Sequence, residues 1–397
     1  MKQLEPNKGI PACLLLMMSA VGGLTVANLY YNQPLLEEMK AALGATEVEA
    51  GLITVITQLG YAAGLLLVVP LADKCSRRKI IGTCLGIAAV MTAAIGMAPN
   101  IHVVWLASFV VGVCSVVPQI FVPMAGLFSA PQNKSRNMGF VLSGLLTGVL
   151  GARVVSGYVG LWLGWRGMFF IATAIMVACL AASLAMLPVM KPTFQGSYGS
   201  LMKSVVQIFM RHSTIRHYSL RAALTFASMM CIWSCMAFHL ALPPFSADSG
   251  MVGMLGLCGM AGAVAASGVG KYVPRFGIQR FSVCGGVLQL VAWAIALWWG
   301  NLYVGLILAI VLVDVGSQCN QLSNQSGCLH EVPEATNRAN TIFMTMLFMG
   351  GSLGTFVANI GWTHVGWTGV CGAGLCFALL SLALSAYCWH ASHRQQV

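Results

Sequence analysis

The sequence predicts an all-α membrane protein with twelve transmembrane helices in two pseudo-symmetric six-helix bundles, and three observations predict it. Of the 397 residues, 58% are hydrophobic and only 8% charged, with a mean hydropathy of +0.82, whereas soluble domains carry about 25% charged residues. Apolar runs of roughly 20 residues, the length that crosses a bilayer, recur twelve times between charged or Pro/Gly-rich breaks. The second half of the chain also repeats features of the first at an offset of about 201 residues, the mark of a duplicated bundle.

The first six runs cover about 10–33, 50–72, 79–98, 102–124, 138–159 and 166–187. The second six cover about 218–242, 250–270, 280–299, 302–324, 340–360 and 367–389. The opening run is too long for a signal peptide and lacks a small-residue cleavage site, so it reads as the first span. These runs divide the chain into an N-terminal bundle over 1–187, a linker over 188–217 and a C-terminal bundle over 218–397. The linker is basic and contains an amphipathic stretch, Leu201 to Met210, suited to lying along the membrane surface.

The net charge of +11 is an orientation signal rather than a nucleic-acid footprint. With both termini in the cytoplasm, that side holds Lys2, Lys8, Lys74, Arg77, Arg78, Lys79, Lys134, Arg136, Lys191, Lys203, Arg211, Arg216, Arg221, Lys271, Arg275, Arg280, Arg338 and Arg394. The other side holds only Lys40 and Arg166, with Glu37, Glu38, Glu47, Glu49 and Asp248, and Arg153 falls inside a span. This asymmetry predicts a multi-pass membrane protein with both termini cytoplasmic. Cys231/Cys235 and Cys371/Cys376 have no His or acidic neighbours at zinc-site spacing, so no metal or other cofactor is expected.

The repeat is visible in motifs. Val69-Pro70-Leu71-Ala72-Asp73-Lys74-Cys75-Ser76-Arg77-Arg78 follows the second span, and Gly270-Lys271-Tyr272-Val273-Pro274-Arg275-Phe276-Gly277 follows the eighth. Gly164-Trp165-Arg166-Gly167 opens the sixth span, and Gly366-Trp367-Thr368-Gly369 opens the twelfth. The first of these loops resembles motif A of the major facilitator transporters, Gly-x-Leu-Ala-Asp-Arg-x-Gly-Arg-Arg, with Val69 and Ser76 in place of the glycines. Ala27-Asn28-Leu29-Tyr30-Tyr31-Asn32-Gln33-Pro34-Leu35-Leu36 is similar to a segment of the arabinose-efflux-permease-like subgroup of the twelve-span drug:proton antiporters. Thr57 to Tyr61, Val117-Pro118-Gln119, Ala152 to Gly157, Leu312-Val313-Asp314 and Met349-Gly350-Gly351 carry the same resemblance. Two positions depart from it. Ser108 stands where motif B has a membrane Arg, and Ala152-Arg153-Val154-Val155-Ser156-Gly157 replaces the antiporter Gly-Pro-x-x-Gly-Gly.

Away from the span ends, two charged residues lie within spans, where each costs about 2.5–3.5 kcal/mol on insertion scales: Arg153 and Asp314. Low dielectric disfavours an ionised carboxyl and a neighbouring guanidinium favours it, so an acid alternating between such surroundings could bind and release a proton. Asp314 is expected in proton coupling. Arg153 is expected as its counter-ion, as an anchor for an anionic solute, or as a donor to carbonyls. Polar stripes on several spans predict a cavity: Asn28, Tyr31 and Asn32 on the first, Thr57, Gln58 and Tyr61 on the second, Gln119 on the fourth, Trp233 on the seventh, and Gln318 and Gln321 on the tenth. Ser317, Asn324 and Gln325 extend the tenth span's stripe, and His239 stands near the outer end of the seventh. The resemblance implies a conformational latch at Asp73, Lys74, Arg77 and Arg78, with Pro274 in place of the acid in the second half. Gly144, Gly148, Ala152 and Ser156 recur every four residues, a spacing that permits close helix approach within a bundle or a sliding contact between halves.

Gly350-Gly351-Ser352-Leu353-Gly354 fits the hydrolase Gly-x-Ser-x-Gly pattern but sits inside a predicted membrane helix, not a strand-turn-helix elbow. There is no His-Glu-x-x-His and no Walker loop. The expected function is therefore not enzymatic. It is secondary transport of a small organic solute (drug-like, sugar or amino-acid-like) by alternating access, with the resemblance implying proton-coupled efflux. The alternative is an uncoupled facilitator or importer in which Asp314 binds the solute. The expected partners are a small-molecule substrate, protons and the lipid bilayer, with no nucleic acid, and the expected state is a monomer.

Overall fold

The computed structural model describes residues 4–188, 196–259, 262 and 277–394, and every regular element among them is helical. In chain order these are α1 (Ala12–Ala27), α2 (Leu36–Leu43), α3 (Glu47–Lys74), α4 (Arg77–Gly96), α5 (Ile101–Cys114), α6 (Val117–Phe128), α7 (Lys134–Met186), α8 (Tyr198–Arg211), α9 (Ser213–Ala241), α10 (Ser249–Leu255), α11 (Ile278–Trp299), α12 (Tyr303–Glu331), α13 (Thr336–Val365) and α14 (Trp367–Arg394).

Short polar segments start and stop these helices. Thr46 and Glu49 form a capping box at the head of α3. Asn100, Ser197 and Asp248 each accept a backbone N–H at the start of α5, α8 and α10, satisfying donors that the first helical turn leaves unpaired. At about 1.5 Å per residue, α7 would run roughly 80 Å, far more than one crossing. It folds back at Gly164, whose φ of 70° few residues other than glycine tolerate, and so supplies two spans. The matching turn between α13 and α14 is made by Gly366 at φ 65°. Arg166 then donates to Gly96 O at 2.9 Å, and Trp367 donates to Ala296 O at 2.9 Å. The duplicated Gly-Trp motifs thus occupy equivalent turns, each tied to the equivalent helix end of its own bundle.

Three expected spans change shape. The first helix stops at Ala27, gives way to turns over 28–32 and a single 3₁₀ turn at Gln33–Leu35, and then turns into α2. Asn28 and Asn32 offer side-chain hydrogen bonds that compete with helix propagation, and Pro34 lacks the N–H to continue it. The fourth span is broken at Ser115–Val116, between α5 and α6, just before Pro118. Of the eighth, Ser249–Leu255 is α-helical and Gly256–Gly259 continues as 3₁₀. The rest of that span and the loop bearing Lys271, Pro274 and Arg275 lie outside the described residues, as do Lys2 and Lys191.

Twelve crossings place both chain ends on one face, here the terminal face. Large apolar side chains line the perimeter, among them Leu106 at 70% exposure, and Trp162 and Trp298 project at 74% and 80% at the opposite face, where indole rings suit a membrane interface. Inside, small residues let backbones close. Gly144 and Gly148 pack on Ser19 and Gly23 of α1 within one bundle, so this part of the small-residue row is not a contact between halves. Gly350 and Gly354 pack on Ala223 and Ala227, and Ser352 donates to Val55 O at 3.0 Å, so the Gly-x-Ser-x-Gly match is a helix-packing face. Arg221, which the charge count assigns to the cytoplasmic side, is fully buried and donates to Gln279 Oε1 at 2.6 Å.

The halves are shut at the opposite face and parted at the terminal face. Trp362 of α13 donates to Glu47 of α3 at 2.8 Å, and Lys40 Nζ lies 5.7 Å from the Phe238 ring centre. Ser249 Oγ donates to Gly157 O at 3.1 Å. At the terminal face a cleft of about 470 Å³ separates Asp73, Arg77 and Pro123 from Glu334, Asn337 and Arg338. Helix α8 lies beside it, burying Leu201 and Val205, with Tyr198 donating to Leu67 O of one half and Arg338 of the other half donating to Ser204.

Candidate functional site

The two charged residues of the spans come together where the halves meet. Arg153 is ten residues from the Leu163 end of its span, Asp314 eleven from Tyr303, and Trp233 eight from Ala241. All three therefore lie about 12–17 Å in from the opposite-face helix ends. Both charged side chains are buried, at 3% and 6% exposure. Among the described ion pairs none joins them directly; Trp233 stands between. Its indole N–H donates to Asp314 Oδ1 at 3.3 Å, and the Arg153 guanidinium carbon lies 4.1 Å from its ring centre. Tyr30 covers the guanidinium from another side at 4.9 Å. Aromatic faces favour a desolvated cation, which helps keep Arg153 charged without a contacting acid. Arg153 Nε donates to Gln33 Oε1 at 2.8 Å, while Gln33 Nε2 is buried without a partner.

Gln33 and Tyr30 are the residues that sequence reasoning missed. Both lie in the Ala27–Leu36 segment, whose helix break turns them toward Arg153. The signal available was a glutamine and two tyrosines beside a proline in an apolar span.

The expected cavity residues fall in different surroundings. Gln58 donates to Met230 Sδ across the halves at 3.1 Å and leaves Oε1 unpartnered. Tyr61 accepts from Gln119 at 3.3 Å and packs on Phe348 of the other half at 4.4 Å, with Phe226 5.3 Å beyond. These rings lie about 18–20 Å from the terminal-face helix ends, between the cleft and the charged pair. Asn32, Thr54 and Thr57 instead tie the first span to the second through bonds of 3.4 Å. Asn28 donates to Met176 Sδ at 3.2 Å within its own bundle, and Tyr31 is buried in the core. On α12, Gln318 and Gln321 are half-buried, whereas Asn320 and Asn324 bind Ser282 of α11 and Gln325 donates to Asn340. His239 is buried, stacked on Trp367 at 3.9 Å and 2.9 Å from Gly300 O.

At the terminal face Asp73 pairs with Arg77 at 3.2 Å within its own loop, Lys74 ends α3, and Arg78 donates to Leu184 O at 2.5 Å. Asp73, Arg77 and Gln119 line a second, smaller pocket beside the cleft with Asn337, Arg338 and Thr341. The Trp362–Glu47 bond is the clearest polar tie across the closed face. Trp362→Phe keeps the ring and removes the donor, and is expected to weaken closure by about 1 kcal/mol, roughly fivefold in the open-to-closed ratio. Faster hydrogen exchange in 36–49 with the terminal-face segments protected would show it; unchanged exchange would refute it.

Two helical bundles closed at one membrane face, parted at the other and carrying buried charges between them define a membrane transporter, not an enzyme. The chain belongs to the Major Facilitator Superfamily, whose description it matches over residues 16–355. It is 36% identical over 361 residues to the uncharacterised transporter YgaY of Escherichia coli O157:H7, covering 91% of each chain. It is 24% identical over 284 residues to the inner membrane transport protein YnfM of Escherichia coli K12, covering 69% of this chain and 67% of that one. The fold is similar to that of the nucleoside transporter NupG (TM-score 0.71, 15% identity, 94% of this chain and 98% of that chain). It is also similar to a bacterial homologue of the human lysosomal transporter Spinster in an inward-facing, occupied conformation (TM-score 0.75, 14% identity, 96% of each).

Proposed function

We propose that this protein is a secondary active transporter that exports a small organic solute across the bacterial inner membrane in exchange for protons, by alternating access. The observation that carries the reading is the buried Arg153–Trp233–Asp314 group. An ionisable acid and a cation share one ring at the junction of the halves without a direct salt bridge, an arrangement that leaves the acid free to exchange partners. The exchangeable partners are a proton and the solute.

The terminal face is cytoplasmic in this reading, because the Lys and Arg excess lies there. The structure then corresponds to an inward-open state. Residues 1–187 and 218–397 are the units that rock about the charged group, with 188–217 as their tether and Asp73, Lys74, Arg77 and Arg78 as the cytoplasmic latch. The Tyr61–Phe348–Phe226 rings separate the cleft from the charged group and act as an inner gate. The protein works as a monomer, and the driving force is the proton gradient, about 2.3 kcal/mol per charge per 100 mV.

Proton release from purified protein in weak buffer, on addition of a solute library, tests this. A solute that releases protons from the wild type and not from Asp314→Asn is the expected result. Binding to both forms without release would overturn the exchange reading in favour of a facilitator.

A further inference from the structure

We infer that the Arg153–Asp314 group is a receptor for the two charged ends of a zwitterionic, α-amino-acid-like solute with an uncharged side chain. The inference rests on the transport reading above and names the substrate class of that same site.

Each charged group is held by one of its atoms and presents the rest. Trp233 binds Asp314 Oδ1, and no described residue donates to Oδ2. Gln33 takes Arg153 Nε, and no described residue accepts from the two outer guanidinium nitrogens. The Gln33 amide has its oxygen on Arg153 and its buried Nε2 unpartnered, so a second donor stands beside the guanidinium. Gln33 Nε2 is fully buried without a partner, and the outer guanidinium nitrogens and Asp314 Oδ2, on side chains 3% and 6% exposed, have no partner among the described residues. A group left this way pays desolvation without return, unless a ligand supplies the missing partners.

The facing segment packs closely against both charged residues. Gly256 and Gly259 occupy one turn on the facing segment, three residues apart. A Cβ on Gly256 would stand 2.9 Å from Arg153 Cβ, and a Cβ on Gly259 would stand 2.8 Å from Asp314 Oδ2. Any larger residue at either position would press on the charged residue beside it and displace it.

Charge decides among solutes. A simple anion would satisfy Arg153 and be repelled by Asp314, and a simple cation would meet the reverse. A neutral sugar would leave both charges without a counter-charge. A carboxylate and an ammonium on one carbon satisfy both at once: the carboxylate accepts from Arg153 and Gln33, and the ammonium donates to Asp314 Oδ2. The side chains recorded around the charged group, Tyr30, Trp233 and Leu150, are uncharged at neutral pH, which disfavours a solute with an acidic or basic side chain. Proton and ammonium then compete for one carboxylate oxygen, which makes the two loads mutually exclusive as exchange requires.

The test is calorimetric titration of the full chain in detergent with leucine and phenylalanine, their decarboxylated amines (isopentylamine, phenethylamine) and their deaminated acids (4-methylpentanoate, 3-phenylpropionate). The expected result is binding of at least one amino acid, with its amine and its acid each at least about tenfold weaker, the penalty of stranding a buried polar partner. Asp314→Asn is expected to erase the preference for the amino acid over the acid, and Arg153→Gln the preference over the amine. The wild-type analogue series decides the question even where a variant fails to fold. Amines binding as tightly as amino acids, or no amino acid binding at all, would overturn the inference. If an amine also released protons from the wild type alone, the exchange reading would survive that failure. Amino-acid binding without proton release would sustain the inference and overturn the exchange.

Discussion

Asp314→Asn is expected to abolish solute accumulation driven by a pH gradient, by at least about 100-fold in reconstituted vesicles. Asparagine matches the acid in size, and its side-chain oxygen still accepts from the Trp233 indole, so packing survives. What is lost is the group that exchanges a proton for the solute. The substitution also leaves the Arg153 guanidinium without a counter-charge at 3% exposure. Removing one partner of a buried pair costs up to about 3–5 kcal/mol; the aromatic faces of Tyr30 and Trp233 and the Gln33 oxygen offset part of it. The single variant is therefore expected to melt earlier than the wild type, and Arg153→Gln alone likewise, through an uncompensated buried acid. The double variant carries no buried charge and is expected to recover most of that stability, to within about 1 kcal/mol, because a neutral pair of similar volume has nothing to desolvate. It is not expected to recover gradient-driven accumulation. Stability and coupling thus separate across one double-mutant cycle. Recovery of both would mean the pair is only a structural device, and retained accumulation in the single variant would remove Asp314 from the coupling.

The spans, the duplication and the two membrane charges were legible because each is written along the chain. An apolar run, a repeated Gly-Trp turn or an isolated Asp in hydrocarbon needs no knowledge of partners. Gly164 and Gly366 are the clearest case, with one motif placing the same left-handed turn in both halves. Partner choice was not legible. Asn32 and Gln58 read alike in sequence, yet one is spent on a neighbouring span and the other reaches the opposite half. Asn320 lies beside the α12 stripe that was read as one face, and it shares Ser282 of α11 with Asn324, so that edge of the stripe is spent on a neighbouring helix. Arg221 was counted with the loops because a tally of Lys and Arg cannot distinguish a solvated charge from one folded in under Tyr218 and Gln279. Gln33 escaped because its role depends on the break after Ala27, which carries it to Arg153 from 120 positions away in sequence.

Gly157→Leu is expected to stop transport while leaving the fold intact, and to do so by holding the opposite face open. Gly157 lies on the same span as Arg153, one turn nearer the opposite face, where α7 of one half meets α10 of the other. A Cβ there would stand 2.9 Å from Gly253 Cα and would press on the Ser249 carbonyl, so even alanine is too large. The neighbour that must yield is backbone, which cannot rotate aside. The Ser249 Oγ bond to Gly157 O is lost with the close approach. Overpacking of this kind costs about 1–3 kcal/mol. Inside one bundle that cost would lower stability. Between two halves that part during the cycle it falls only on the state in which they touch, and the protein escapes it by opening. A shift of about 3 kcal/mol changes the ratio of states by more than 100-fold, enough to leave the closed state scarcely populated. Hydrogen exchange is expected to quicken over 36–49 and 242–255 and to slow over 69–79 and 334–341, with the melting temperature little changed. The same substitution at Gly148, whose neighbours on α1 belong to its own bundle, is expected to do the reverse: lower the melting temperature and leave the balance between the two faces unaltered. Equal losses of stability at both positions would place Gly157 inside a rigid body and refute a contact that opens and closes.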